Sequence, residues 1–294
     1  MNDKIFISNY ELINKIGSGS FGEVYLIKNK LDNKSYAAKI EESNNKNRLK
    51  SEYNIYKKIN KNNDIGGIPQ IYNFIETPDY NIMVMELLGP CLENIFELNE
   101  KKFTLNTIFK LGIDMFTLIE QFHKRGFIHR DIKPGNFIFN YTKPFNKLYI
   151  MDFGLSKQYI VIKDEGDKSH IEFKTDRSLI GTARYCSQNI HWGFEPSRRD
   201  DIESICYILI YFFKGCLPWQ GLKKNKIKTQ VQIIGDKKNT VSIYSLCKDM
   251  PDCFSMILEY VRSLKFEQKP DYKLIMELLN KDIKKLNIKP EYEF

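Results

Sequence analysis

Between residues 10 and 40, apolar and polar side chains alternate with period two, the pattern of strands with one buried face. Y-E-L-I-N-K-I leads into Gly17-x-Gly19-x-x-Gly22, after which Val24 and Leu26 alternate with Glu23 and Tyr25. Asp32-Asn33 is a hairpin turn signal ahead of the strand S-Y-A-A-K-I. A spacing of three to four takes over at 46–60, where Leu49, Tyr53, Tyr56 and Ile59 form a stripe with Glu52 at its edge. Two further strands, 70–76 and 81–86, run into Leu87-Leu88-Gly89-Pro90, a break. Beyond it helices fit 92–98 and 105–125, the second lined by Ile108, Leu111, Met115, Leu118, Ile119 and Phe122 and stopped by Gly126. Short apolar runs at 137–139 and 148–151 read as strands, 156–179 as polar and irregular chain. A very apolar helix at 199–214 is broken by Leu217-Pro218-Trp219, and helices fit 255–265 and 271–284. The expected class is α+β. One domain over 1–294 holds a small β-rich lobe with one main helix (about 8–86), a connector (about 86–90) and a larger helical lobe (about 91–284).

Composition adds little to this and excludes some classes. With 294 residues, 42% apolar and 28% charged, the chain has the makings of a full core, against global disorder. Six cysteines include no Cys-x-x-Cys pair, so a zinc site is not expected, and free thiols point to a reducing compartment, the cytoplasm or nucleus. The first ten residues lack the apolar core of a signal peptide, and the longest apolar run, Ile205–Phe213, is too short to span a bilayer. The balance of 45 basic and 37 acidic residues gives +8, which suits acidic partners or simply reflects a lysine-rich surface. No basic motif interleaved with aromatics supports nucleic-acid binding. A monomer is expected.

The candidate chemistry is concentrated in I-H-R-D-I-K-P-G-N-F-I-F and I-M-D-F-G-L. Asp131, Lys133, Asn136 and Asp152 place two carboxylates and an amide oxygen close to a lysine, a donor set for a metal-bound polyphosphate. The glycine run is flanked on both sides by strand, not followed by a helix as in a dinucleotide fold. It reads as a hairpin whose backbone N–H groups fold over phosphates, or as a plain flexible turn.

Four signals stand in one order: the glycine hairpin, Ala37-Ala38-Lys39, His129-Arg130-Asp131 through Asn136, and Asp152-Phe153-Gly154. Together they resemble the eukaryotic protein kinase signature set. That resemblance implies a bilobal protein kinase fold using ATP and Mg²⁺. It assigns Lys39 to the α- and β-phosphates, Glu52 as its partner, and Asp131 as acceptor or orienter of the substrate hydroxyl. Lys133 neutralises the transferred group, and Asn136 and Asp152 ligate the metal. Gly17, Ser18, Gly19, Ser20, Phe21 and Gly22 form the phosphate hairpin. Ile16, Val24, Ala37 and Ile138 contact adenine, Met85 precedes the hinge, and Glu86 to Leu88 form it.

Later motifs narrow the family. Gly181-Thr182-Ala183-Arg184-Tyr185, Ser187-Gln188-Asn189 in place of Ala-Pro-Glu, Ser197-Arg198-Arg199-Asp200-Asp201-Ile202-Glu203-Ser204 and Leu217-Pro218-Trp219-Gln220-Gly221-Leu222 are similar to the casein kinase I family, with vaccinia-related kinases as neighbours. This implies a serine/threonine kinase acting on acidic or phospho-primed proteins. Thr182 then bridges to Asp131 and Lys133. Asp201 holds the catalytic loop from below, and Asp200 is solvated or capping. Arg184, Arg177 and Lys174 supply a phosphate pocket, with Lys223, Lys224, Lys226 and Lys228 adding charge. The lysines after Trp219, Gly135, and the stretch 161–174 depart from the family pattern. On this reading Lys39→Met cuts phosphoryl transfer roughly 10³-fold and leaves the melting temperature nearly unchanged. A catalytically weak scaffold with the same fold is the alternative.

Overall fold

The structure is a computed structural model that describes residues 9–19, 22–43, 47–60, 66–162, 167–223 and 227–294. Its chain divides into two compact units, 1–90 with 138–154, and 91–137 with 155–294. The segment 138–154 thus joins the sheet-rich unit, although sequence order puts it in the helical lobe.

The first unit is built on an antiparallel sheet of β1 (Tyr10–Gly19), β2 (Gly22–Asn29), β3 (Ser35–Glu42), β4 (Ile71–Glu76) and β5 (Tyr80–Met85), in the order β1-β2-β3-β5-β4. The period-two pattern is realised directly. Ala38 and Ile40 of β3 pack with Ile27, Ile82 and Val84 in one buried cluster, overlaid by Tyr10, Tyr25, Tyr36 and Tyr80. The alternate residues Ala37, Lys39 and Glu41 are buried as well, with Met83 and Met85. As successive side chains leave a strand on opposite sides, these lie on the other face. Helix α1 (Arg48–Ile59) buries Leu49, Glu52, Tyr56 and Ile59. Its own N-cap position, Asn47, makes no side-chain cap, and the Glu41 carboxylate of β3 instead accepts from Leu49 N at 2.9 Å. A carboxylate at this helix end satisfies an orphan donor and suits the helix dipole. Asn33 closes the β2–β3 turn in the left-handed region (φ 59°), as the turn signal predicts. A small sheet of β6 (Leu88–Cys91), β8 (Phe137–Asn140) and β9 (Leu148–Ile150) completes the unit.

The second unit is helical: α2 (Leu92–Leu98), α3 (Leu105–Lys124), α4 (Gln188–His191), α5 (Arg198–Lys214), α6 (Gln230–Thr240), α7 (Ile243–Leu246), α8 (Asp252–Ser263) and α9 (Tyr272–Lys285). Helix α5 is buried on nearly every side from Asp200 to Phe212, as its unbroken apolar run requires. It packs on α3 and α8, and α9 packs on both of these. Helix α3 is capped by Thr104, whose Oγ1 accepts from Thr107 N. At the start of helix α5 the Asp200 carboxylate accepts from Ser197 N at 2.7 Å, and the helix ends at Gly215 in the left-handed conformation (φ 76°). Asp200 is therefore capping but not solvated: it is buried and also accepts from the Ser187 hydroxyl and the Asn189 amide.

Two segments are more ordered than the sequence pattern predicts. The stretch after Leu155 forms β10 (Lys157–Gln158), paired with β7 (Phe127–Ile128), and a hairpin of β11 (Ile160–Ile162) and β12 (Lys168–His170). The lysine-rich stretch after Trp219 runs into α6 and α7, neither of which shows an apolar stripe.

Candidate active site

Two side-chain constellations form, one in each unit. In the sheet unit, Lys39 Nζ lies 2.7 Å from Glu52 Oε2 and 3.0 Å from Asp152 Oδ1. The β3 register, with Lys39 opposite Val24 and Met83, sends its ammonium to the face where α1 packs. Lys39 and Glu52 are 5% and 2% exposed, so the pair is an interior feature, not a surface ion pair. Burial works against the Lys39 charge, but the Glu52 and Asp152 carboxylates outweigh it and hold the ammonium protonated, with its pKa raised. Burial pushes Glu52 upward, with Lys39 and the Phe153 backbone pulling it back. Asp152 sits at φ 67°, an uncommon conformation for a residue with a side chain, and its N–H donates to the Tyr56 hydroxyl at 3.2 Å. Tyr56 is fully buried and its ring meets Phe153 at 4.4 Å between centroids, so α1 holds the Asp-Phe-Gly turn by both its carboxylate and its phenol. The inward turn of Glu52 was marked by the lysine opposite it; the part of Tyr56 was hidden because its spacing reads simply as core.

In the helical unit the side chains of the His129–Asn136 loop and Thr182 cluster around Asp131. Lys133 Nζ meets Asp131 Oδ2 at 2.6 Å, and the Thr182 hydroxyl donates to Oδ1 at 2.7 Å. The Asn136 amide donates to the Asp131 carbonyl at 2.8 Å, and its amide oxygen accepts from none of the described residues. Asp131 and Asn136 are buried, while Lys133 is partly exposed. Gly181 is required here. It adopts φ 80°, and a Cβ would stand 2.3 Å from the Arg130 carbonyl, so the Thr182 loop can close on Asp131 only with glycine at that position.

The loop is held from below by Asp201 at the start of α5. Its carboxylate accepts from His129 N at 2.7 Å and Arg130 N at 2.9 Å, and lies 2.8 Å from His123 Nε2. Burial lowers the pKa of His123, against the pull of Asp201, which keeps the ring neutral. The ring then donates from Nε2 to Asp201 and accepts at Nδ1 from the Tyr272 hydroxyl. For Asp201 burial acts upward, and hydrogen bonds from His123 and His129 prevail and lower its pKa. Arg130 is left-handed (φ 67°) and its Nε donates to the Leu155 carbonyl at 2.6 Å.

The remaining predicted residues fall as follows. Ala37 and Met85 are buried neighbours across β3 and β5, Ile16 is exposed, and Val24, Leu88 and Ile138 are partly buried. The Glu86 N–H donates to the Gln70 carbonyl, so that residue has its carbonyl alone to offer a ligand from the main chain. Ser20 and Phe21, like Lys224 and Lys226, lie outside the described residues. Of the three glycines of the hairpin motif, only Gly22 is demanded by its described surroundings, since a Cβ there would meet the Ile40 carbonyl at 2.4 Å. At Gly17 and Gly19 a Cβ would make only ordinary contacts with the described residues. Arg177 and Lys174 converge on Glu195: the guanidinium pairs with its carboxylate at 3.1 Å and the Lys174 carbonyl accepts its N–H at 2.8 Å. Lys174 also lines a surface cavity of about 530 Å³ with Lys157, His170 and Glu267. Arg184 stands apart from them, over the ring of Tyr185. Lys228 pairs with Asp236, so part of the basic run is neutralised.

A family model described as the protein kinase domain matches residues 10–285. The chain belongs to the protein kinase family. The kinase domain implies ATP as phosphoryl donor and protein as acceptor, and the donor chemistry fits that group. A cation held by two carboxylates suits polyphosphate, and the Asn136 amide oxygen is of the type a hard divalent cation takes. Among the described residues no three His, Cys, Asp or Glu side chains come together as a metal cage. No helix among them is long and apolar enough to cross a membrane.

Proposed function

We propose that this kinase phosphorylates serine and threonine in acidic or already phosphorylated proteins, and that it is casein kinase I-like. The observation that carries the reading is the Lys133–Asp131–Thr182 arrangement, in which each carboxylate oxygen has one fixed partner. Each oxygen keeps a further lone pair for a substrate hydroxyl. Asp131 orients that hydroxyl and takes its proton. Lys133, two residues on, balances charge developing on the transferred group, and the threonine locks the carboxylate plane. Bound Mg-ATP supplies the γ-phosphoryl and a divalent positive charge. Lys39, its position set by Glu52, would hold the α- and β-phosphates, and Asn136 and Asp152 would each offer an oxygen of the kind the metal takes. Little covalent chemistry is asked of the protein, so positioning and charge do most of the catalysis.

Arg184 supports the substrate class. Burial lowers its pKa and the Tyr185 hydroxyl raises it, with a net upward shift, so its charge is permanent. No carboxylate among the described residues pairs with it, whereas Arg177 has Glu195. A guanidinium without a carboxylate partner suits a phosphate. A degenerate peptide library is expected to accept phosphate on Ser or Thr, with acid or phosphate nearby. Arg184→Ala is expected to cut transfer to primed peptides about tenfold, as befits a charged hydrogen bond of about 1.5 kcal/mol, and to spare unprimed acidic peptides. Phosphotyrosine as the main product would refute the residue class, and equal losses on both peptides would refute the phosphate contact.

A further inference from the structure

The strongest feature outside the catalytic residues is a lysine in the interior. Lys238 of α6 is 0% exposed. Among the described residues no carboxylate lies within ion-pair distance of it. Its Nζ donates instead to two carbonyls of one turn, Ala183 at 2.8 Å and Cys186 at 2.5 Å. It also lies over the Tyr207 and Trp219 rings at 5.0 and 5.1 Å, so the third N–H direction is met by aromatic faces.

That turn carries Thr182 and Arg184. Tyr185 N and Cys186 N both donate back to the Thr182 carbonyl, which leaves the carbonyls of 183, 184 and 186 to outside partners. All three are met from α6 and its surroundings. Ala183 and Cys186 receive Lys238, the Trp219 indole donates to Arg184 O at 2.7 Å, and His191 Nε2 adds a second contact to Ala183 O at 3.2 Å. The Gln188 amide donates to the Lys238 carbonyl at 2.6 Å, tying the helix back to α4. Helix α6 comes this close because it has glycine at 235, where a Cβ would stand 3.0 Å from the His191 ring. An ammonium without a counter-ion is costly to bury, and hydrophobic side chains of the same length fill space without that cost. Its presence at this point calls for a task.

We propose that Lys238 is a positioning residue, its ammonium clamping the Ala183–Cys186 turn so that Thr182 meets Asp131 and Arg184 faces the substrate. The inference rests on the kinase reading above. It extends that reading to a residue two elements away from the motifs, on a helix with no conventional catalytic part.

Charge state gives the test. Burial brings Lys238 down to about 8, opposed by Cys186 and Glu203 and assisted by Arg262. The other titratable neighbours are Tyr207, whose pKa is pushed well up by burial and Glu203, and His191, brought to about 4 by burial and the Lys238 charge. Neither changes protonation between pH 7 and 9. The clamp therefore loosens as Lys238 loses its proton. For wild type, kcat/KM for peptide is expected to fall between pH 7 and 9 with a midpoint near 8, while KM for ATP stays within about twofold. The contribution of this group to stability moves the other way. Its folded pKa lies below the unfolded value near 10.4, so the unfolded chain binds the extra proton between about 8 and 10.4, and stability rises with pH over that window. Loss of activity without loss of stability separates positioning from unfolding.

Lys238→Met keeps the stem and removes the charge. It is expected to lower peptide kcat/KM at pH 7 at least tenfold and to flatten the profile up to pH 9. Lys238→Arg, which stays charged, is expected to retain more activity than the Met variant and to lose the fall near pH 8, and it serves where the Met variant does not fold. A wild-type profile flat from pH 7 to 9, or a Met variant with wild-type kcat/KM and the same fall, would overturn the proposal while leaving the kinase reading intact. Absence of any peptide phosphorylation by wild type would instead remove the kinase reading, and the proposal with it.

Discussion

Lys39→Met is expected to reduce phosphoryl transfer about 10³-fold, a loss of about 4 kcal/mol of transition-state stabilisation. The cation that would hold the α- and β-phosphates is gone, and Asp152 loses the partner that stands 3.0 Å from it. The variant is also expected to be less stable, contrary to what the motif alone suggests. Glu52 is 2% exposed and its carboxylate would be left in the interior without a cation. Removing one partner of a buried pair typically costs about 3–5 kcal/mol. Uptake of a proton by Glu52, toward which burial already pushes it, offsets part of that. Turnover and thermal melts on the single variant, beside Lys39→Met/Glu52→Gln, separate the two effects. The double variant should recover much of the melting temperature and none of the activity. An unchanged melting temperature in the single variant would show that the pair contributes nothing to the fold, and activity within tenfold of wild type would remove Lys39 from the site.

Asp201→Ala carries the second large effect. The carboxylate is the acceptor for two consecutive backbone N–H groups, at His129 and Arg130, and for the His123 ring. Without it these buried donors lose their acceptor, at about 1–3 kcal/mol each. A total loss of roughly 3–5 kcal/mol is expected, since relaxation recovers part of the sum. Arg130 is left-handed (φ 67°), one of those bonds holds its N–H, and Asp131 is the next residue. A catalytic group displaced by about 1 Å loses on the order of 10²-fold in rate, so kcat should fall at least that far. The pH dependence has a definite sign. The folded pKa of Asp201 is depressed, so its contribution is full above the unfolded value near 3.9 and is lost as pH falls through the folded one. Denaturant melts should therefore show wild type and variant separated at pH 7 and converging in acid. A gap that does not narrow at all as pH falls below the unfolded value would assign the stability to something other than the carboxylate.

Much of this site could be read from the sequence because its chemistry lies at short, fixed spacing. Asp131, Lys133 and Asn136 sit on one loop, and β3 places Lys39 by simple alternation. Helix α5 was also visible, since the unbroken apolar run Ile205–Phe213 fits a helix buried all round, and these positions are buried through Phe212. What the pattern missed has physical reasons. Helix α6 shows no stripe because its inward face is made of Ile234, Gly235 and the aliphatic stem of a lysine, with the buried ammonium counted as polar in any hydropathy reading. Tyr56 reads as one more core aromatic, and only the Asp152 N–H shows that its hydroxyl has a task. Asp200 and Asp201, adjacent in sequence and both acidic, look equivalent. One caps α5 and takes the Ser187 hydroxyl, the other carries the catalytic loop. Pairing between distant residues decides such roles, and a sequence does not print it. The basic residues Arg177, Lys174 and Arg184 illustrate the same point. They look like one cationic cluster along the chain, yet the Glu195 carboxylate claims Arg177, meets Lys174 only through its backbone carbonyl, and leaves Arg184 to its tyrosine.

The most direct measurement of the central claim is transfer of labelled γ-phosphate from ATP, with magnesium, to casein or an acidic serine peptide, comparing wild type with Asp131→Asn. The substitution keeps the shape and removes the charge that receives the substrate proton and holds Lys133 at 2.6 Å. The account predicts steady incorporation on serine or threonine by wild type and a loss of at least about 10²-fold in the variant. Incorporation by wild type no greater than that of Asp131→Asn would contradict it.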